Sequence, residues 1–203
     1  MDQAFLLTAF VTLFVIIDPI GLAPLFVALT QGMDARQRRA IALRATLVAT
    51  GLLALFALAG EAVLGFVGIS MPAFRIAGGI LLFLTALDML FERRSKRREG
   101  QADDRPDPSV FPLAIPLIAG PGAIATMILL AGQSSTTEDL LVVIGVMIAV
   151  MVLVLLMFFV SGLLERALGR TGINVVTRLL GMLLAALAVQ FVLDGLRGFG
   201  LGH

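Results

Sequence analysis

The residues from Pro112 to Met127 read P-L-A-I-P-L-I-A-G-P-G-A-I-A-T-M, apolar enough for the interior of a membrane yet carrying three prolines and two glycines. One straight helix is excluded, because each proline lacks a backbone donor and collides with the preceding turn, while glycine accepts the dihedrals a restart needs. Gly120 followed by Pro121 reads as a cap and a first helical position, so one helix ends and another begins inside the apolar stretch. Backbone N–H groups freed at such a restart cannot stay unpaired in hydrocarbon and must face protein or a wet cavity. The same logic recurs at Asp18-Pro19-Ile20-Gly21-Leu22-Ala23-Pro24, within the first apolar segment. A chain of this kind can hold a ligand at these two breaks, and the remainder reads as scaffold around them.

The surroundings of the breaks are those of a membrane protein. Hydrophobic residues make up 59% of the chain and charged residues 14%, against roughly 25% charge in soluble domains, and the mean hydropathy is +1.04. There is no cysteine and the single histidine is His203, the last residue. Thiolate chemistry is thereby excluded, and a Ser–His pair or a His-ligated metal inside the membrane would need the chain's end, so no enzyme, metal site or cofactor is expected. The arginines are clustered rather than spread over a face, so nucleic acid is not an expected partner. The expected partners are the lipid bilayer and a small-molecule substrate, and assembly with further copies of the chain is left open.

Apolar segments at 4–30, about 45–67, about 73–91, roughly 110–131, 140–160 and about 174–196 predict six membrane spans, the first and fourth broken. The first has no basic residue ahead of it and outlasts a signal peptide, so it is expected to be retained. Of the fifteen Lys and Arg, twelve fall in the connections between spans one and two (Arg36, Arg38, Arg39, Arg44), three and four, and five and six (Arg166, Arg170). The positive-inside rule makes those connections cytoplasmic and both termini periplasmic, in a bacterial inner membrane.

The two halves resemble each other. Glu61-x-x-Leu64-Gly65-x-x-Gly68-Ile69-Ser70 followed by Arg75-x-x-Gly78 recurs as Glu165-x-x-Leu168-Gly169-x-x-Gly172-Ile173-Asn174 followed by Arg178-x-x-Gly181, and nearly the same offset carries Pro19 onto Pro121 and Ala23 onto Ala125. The chain thus divides into a three-helix repeat over 1–91, a charged cytoplasmic linker over 92–108 and a second repeat over 109–203. Three helices per repeat make the second copy enter the membrane from the opposite face. Inverted repeats with corresponding broken helices point to secondary transporters that bind substrate near the midplane.

Among individual residues Asp18 carries most. An N-cap recovers about 1 kcal/mol, whereas an ionised aspartate at a span centre costs on the order of 3 kcal/mol. A functional role, receiving a substrate amine or a coupling H⁺ or Na⁺, therefore outweighs capping alone. The expected substrate site comprises Asp18, Pro19, Gly21, Gly120, Pro121, Gly122, Ala123 and Thr126, with half-helix N-termini directed at a carboxylate and small residues favouring a small side chain. Glu61 with Arg75, and Glu165 with Arg178, are expected as ion pairs flanking the hairpins. Bracing ranks ahead of gating for them, and Ser70 and Asn174 are candidate caps. Gln190 and Thr85 are explained as well by interhelical hydrogen bonds, and Gly78, Gly79 and Gly181 by close helix packing.

The Asp18-Pro19-Ile20-Gly21-x-x-Pro24 motif, the run P-L-A-I-P-L-I-A-G-P-G-A-I-A-T over 112–126 and F-R-I-A-G-G-I-L-L over 74–82 together resemble the MarC family of membrane proteins, over essentially the whole chain. The resemblance implies six helices and, for some members, transport of small neutral amino acids such as glycine and alanine. From the residues alone the reading is a secondary transporter; the amino-acid substrate is what the resemblance implies. The alternatives are an ion or small-solute exporter or channel, and a non-transporting, resistance-associated membrane protein.

Overall fold

The structure, a computed structural model, describes residues 3–91, 107–134 and 136–200, and within these the side chains of all but Glu165 and Arg170. It is all-helical, with no strand among the described residues. Helix α1 (Gln3–Ile17) and α2 (Pro19–Leu29) meet at Asp18 and form one span of 27 residues. The chain turns at 30–34 into α3 (Ala35–Val67), turns again at 68–70 into α4 (Met71–Leu90), and resumes at Asp107. Segment α5 (Ser109–Ile118) and helix α6 (Pro121–Ala131) are bent by 57° about Ala119 and Gly120, and α7 (Thr137–Gly198) completes the fold. Five spans are long and apolar enough to cross a bilayer, and the bent α5–α6 pair makes a sixth if counted as one.

Local chemistry accounts for most of these boundaries. Asp34 and Gln37 form a reciprocal capping box, the Gln37 N–H donating to Asp34 Oδ1 at 2.7 Å and the Asp34 N–H to Gln37 Oε1 at 3.0 Å. This starts α3 about one helical turn before Arg38, so the second span begins ten residues earlier than its apolar pattern predicts. Arginine is a good helix former, and Arg36, Arg39 and Arg44 lie on exposed positions of the first turns. Thr136 and Asp139 make the corresponding box at the start of α7. Ser70 caps α4 as expected, accepting from the Ala73 N–H at 3.4 Å. Asn174 is not a cap: it lies inside α7, and the break falls at Gly169, whose φ of 60° and ψ of 175° only glycine adopts readily. Gly169 divides α7 into the arms Thr137–Leu164 and Thr171–Gly198.

The packing is that of a bundle with two ends. α4 lies antiparallel along the second arm of α7: a Cβ at Gly79 would come within 2.8 Å of the Ala188 carbonyl, a Cβ at Gly181 within 3.3 Å of the Ala86 carbonyl, and Gly198 abuts Pro72. Backbone-to-backbone approaches this close are available only to glycine, the usual route to tight association of apolar helices. At one end of the bundle stand the 30–34 turn, the 164–171 reversal and Asp107, which pairs with Arg44. The 68–70 turn, the end of α6 and the end of α7 gather at the other, where Gly132 meets Met71. Most of the 92–108 linker, the C-terminal residues 201–203 and Ser135 lie outside the described residues.

Candidate functional site

The first break is a single residue in the left-handed region. Asp18 has φ 57° and ψ 64°, a conformation that aspartate and asparagine tolerate better than most side chains. Its N–H still donates to the Phe14 carbonyl at 2.9 Å and its C=O accepts from the Leu22 N–H at 3.0 Å, which keeps α1 and α2 in one span. Pro19 contributes no donor at the first position of α2, and Asp18 Oδ1 accepts from the Gly21 N–H at 3.0 Å. The position of Gly21 is dictated by that carboxylate, because a Cβ there would collide with it. Asp18 is only 1% exposed, so a carboxylate is enclosed in the middle of the first span.

The second break is sharper. Ser109–Ile118 winds as a wide helix with hydrogen bonds five residues apart, Leu113 N–H to the Pro108 carbonyl at 3.1 Å and Ala119 N–H to Ala114 at 2.9 Å. Phe111 and Ile115 are extended rather than helical, each ahead of a proline, which disfavours the helical region for the residue before it. The Phe111–Pro112 and Ile115–Pro116 bonds are cis. α6 then restarts at Pro121 with Gly120 in an extended conformation and no side chain capping it. Unlike α2, this helix has no side chain at its N-cap to accept from its first N–H groups.

The two breaks meet. A Cβ on Gly122 would lie 2.6 Å from Ile16 Cδ1 and 3.6 Å from Leu82 Cδ2, so the first turn of α6 rests against the last turn of α1 and the middle of α4. Pro19, Gly122, Ala123 and Thr126 are buried, Gly21 and Gly120 partly so, and Pro121 is exposed. Of the expected site residues, Pro121 is therefore the one whose ring faces outward while its neighbours face the core. Thr126 is fully buried and its hydroxyl has no hydrogen-bond partner among the described residues, and the same holds for Thr12, a turn and a half before Asp18. Buried hydroxyls are nearly always paired, so the two that flank the breaks are positions where a ligand or a water would bond. Thr12 escaped the sequence reading; its one signal there is a second hydroxyl residue, after Thr8, in an otherwise apolar run.

The first pair of hairpin charges, Glu61 and Arg75, behaves differently from expectation. Glu61 and Arg75 form no ion pair: Glu61 is exposed on α3, while Arg75 on α4 has its Nε buried and without a hydrogen-bond partner. The 68–70 turn joins the two helices but leaves these side chains in environments of different exposure. Arg178 is exposed on α7, and its expected pairing with Glu165 lies outside the described side chains. Thr85 bonds within its own helix, to the Leu81 carbonyl at 2.9 Å, and Gln190 donates to Asp194 at 2.8 Å one turn on, so neither reaches across to another helix by these bonds. Among the described residues no cluster of His, Cys, Asp and Glu could hold a metal ion.

Comparison with known proteins agrees with this architecture. The family model described as MarC family integral membrane protein matches residues 3–199. A UPF0056 membrane protein of Methanocaldococcus jannaschii is 38% identical over 203 residues, covering 98% of both chains. UPF0056 membrane protein YvbG of Bacillus subtilis is 39% identical, covering 98% of this chain and 97% of its own. UPF0056 inner membrane protein YhgN of Escherichia coli is 36% identical, covering 95% and 96%. No solved structure matches the chain. A match over nearly the full length, on a multi-pass helical bundle with both proline breaks in place, means that the chain belongs to the MarC family of integral membrane proteins.

Proposed function

We propose that the protein is a secondary transporter of small neutral amino acids of the glycine and alanine kind. The observation that carries the reading is the meeting of the two breaks: the uncapped start of α6 rests on Ile16, two residues before the buried carboxyl group of Asp18. A zwitterion needs both: the N–H groups at Gly122 and Ala123 would take its carboxylate and Asp18 its amine, or the H⁺ or Na⁺ that drives transport. Thr12 and Thr126 would supply hydroxyls to the same ligand. Ala123 and the glycines at 21, 120 and 122 would favour a ligand with a small side chain. The protein would need no cofactor and would perform no covalent chemistry.

Two inverted three-helix repeats, 1–91 and 109–203, supply the mechanism. The α4–α7 packing supports them: shifting by the repeat offset of about 103 takes the Gly181–Ala86 contact to 78 and 189, next to the observed Gly79–Ala188 contact. Because Asp18 is closed off, a ligand reaches it only when one repeat tilts against the other. The connections rich in arginine would face the cytoplasm and both termini the periplasm, in the inner membrane. The test is uptake by the purified protein in liposomes across an amino-acid panel, with imposed Na⁺ or pH gradients. Saturable, gradient-dependent uptake of glycine or alanine is expected. Conductance that does not saturate would replace the transporter by a channel, and no flux of any solute would remove transport altogether.

A further inference from the structure

An open cavity of about 750 Å³ lies at the end of the bundle that holds the 30–34 turn, between the start of α3 and the end of α7's first arm. Its polar wall is three arginines, Arg38, Arg39 and Arg166. None of them has a carboxylate partner among the described residues. Its floor is the stacked pair Phe26 and Phe158, ring centroids 4.5 Å apart, and the Arg38 guanidinium sits 5.7 Å above the Phe26 ring. That contact holds Arg38 in place and leaves its N–H fork free. The remaining wall is apolar and turned outward: Phe159 is 49% and Leu163 69% exposed, at the last turns of a membrane span.

We infer that this cavity binds the phosphate of an anionic phospholipid, with Arg38, Arg39 and Arg166 on the headgroup and an acyl chain lying over Phe159 and Leu163. Guanidinium groups match phosphate oxygens in bidentate fashion, and three unpaired ones around one cavity leave a charge that a diester phosphate would neutralise. A soluble anion would satisfy the arginines but leave the adjoining apolar wall without a counterpart. A lipid uses both, and the site's level at the span ends is where headgroups lie. The assignment does not depend on transport.

The test uses the full-length protein in detergent, measuring thermal stabilisation and adduct retention in native mass spectrometry with phosphatidylglycerol, phosphatidylcholine of the same chains, and inorganic phosphate. Phosphatidylglycerol is expected to stabilise the parent and Arg36→Gln, a control that removes an equal charge from an exposed residue that does not line the cavity. In Arg38→Gln/Arg166→Gln its binding is expected to weaken about thirtyfold, as for two basic groups lost beside an anionic headgroup. Arg166→Gln alone, at an exposed side chain, gives the same reading in smaller measure if the double variant folds poorly. Equal loss in Arg36→Gln and the double variant would mean diffuse attraction and no site. Inorganic phosphate reproducing the full stabilisation, with Leu163→Gln unaffected, would replace the lipid by a soluble anion.

Discussion

At the scale of single residues, Asp18 and Gly21 form one device. The carboxyl group occupies the space that a Gly21 side chain would fill and accepts its N–H, so the left-handed turn, the cap and the buried acid come from two positions. Asp18→Asn separates these roles. Asparagine tolerates the same backbone conformation and caps as well, so the protein is expected to fold with unchanged thermal stability. Ligand binding should weaken about ten- to hundredfold, the size of a lost hydrogen bond to a charged group. Ligand-dependent thermal shifts and liposome uptake check this, and uptake like the parent's would reduce Asp18 to a cap. Gly21→Ala should instead destabilise the fold by about 1–3 kcal/mol, as overpacking does, which thermal unfolding in detergent measures. Because Glu61 and Arg75 are not paired, Glu61→Ala and Arg75→Ala are expected to be additive in stability. A double-mutant cycle with a coupling energy clearly above about 0.5 kcal/mol would contradict that.

At the scale of elements, the chain uses two different ways to interrupt a span. The first break keeps α1 and α2 in one span through the hydrogen bonds on either side of Asp18, whereas the second, with prolines four residues apart and no side-chain cap, bends by 57°. The start of that bent segment is fastened outside the membrane by Asp107. Its carboxyl is held below the ordinary carboxylate range chiefly by the adjoining Ser109, whose side chain lies near and whose N–H donates to Asp107 Oδ1 at 3.0 Å, opposed by partial burial and helped by Arg44. A carboxyl whose folded value is lowered stabilises the fold above its unfolded value near 4, and that contribution is lost as pH falls through the folded value. Asp107→Asn should therefore lower the melting temperature slightly at pH 7, and the gap to the parent should close below about pH 4. The side chain is 43% exposed, so the effect is expected to be small.

At the scale of the whole molecule, the spans alternate between two ends, and the end that gathers Arg38, Arg39, Arg44 and Arg166 is expected to face the cytoplasm. A reporter fused after His203 should then read as periplasmic and one inserted within residues 95–105 as cytoplasmic; the reverse pattern would invert the orientation of the bundle. The apolar spans, their order and both breaks were legible in the chain, since hydrocarbon demands long apolar runs and proline cannot sit inside a helix without consequence. The start of α3 was not, because arginines lower an apolar score while remaining good helix formers, and only the Asp34–Gln37 box marks the true beginning.

Local chemistry was readable along the chain: a helical membrane protein, a restart at Pro121, a carboxyl group within the first span and small residues around it. Which of these come together depends on the packing. Gly122 rests on Ile16 and Leu82, Glu61 stays apart from Arg75, and Phe26 stacks on Phe158 beneath arginines more than 120 positions apart in the chain. Those distances are set by helix crossings, and the crossings depend on how closely backbones approach at glycines such as Gly79 and Gly181, a property of paired surfaces that no single segment carries.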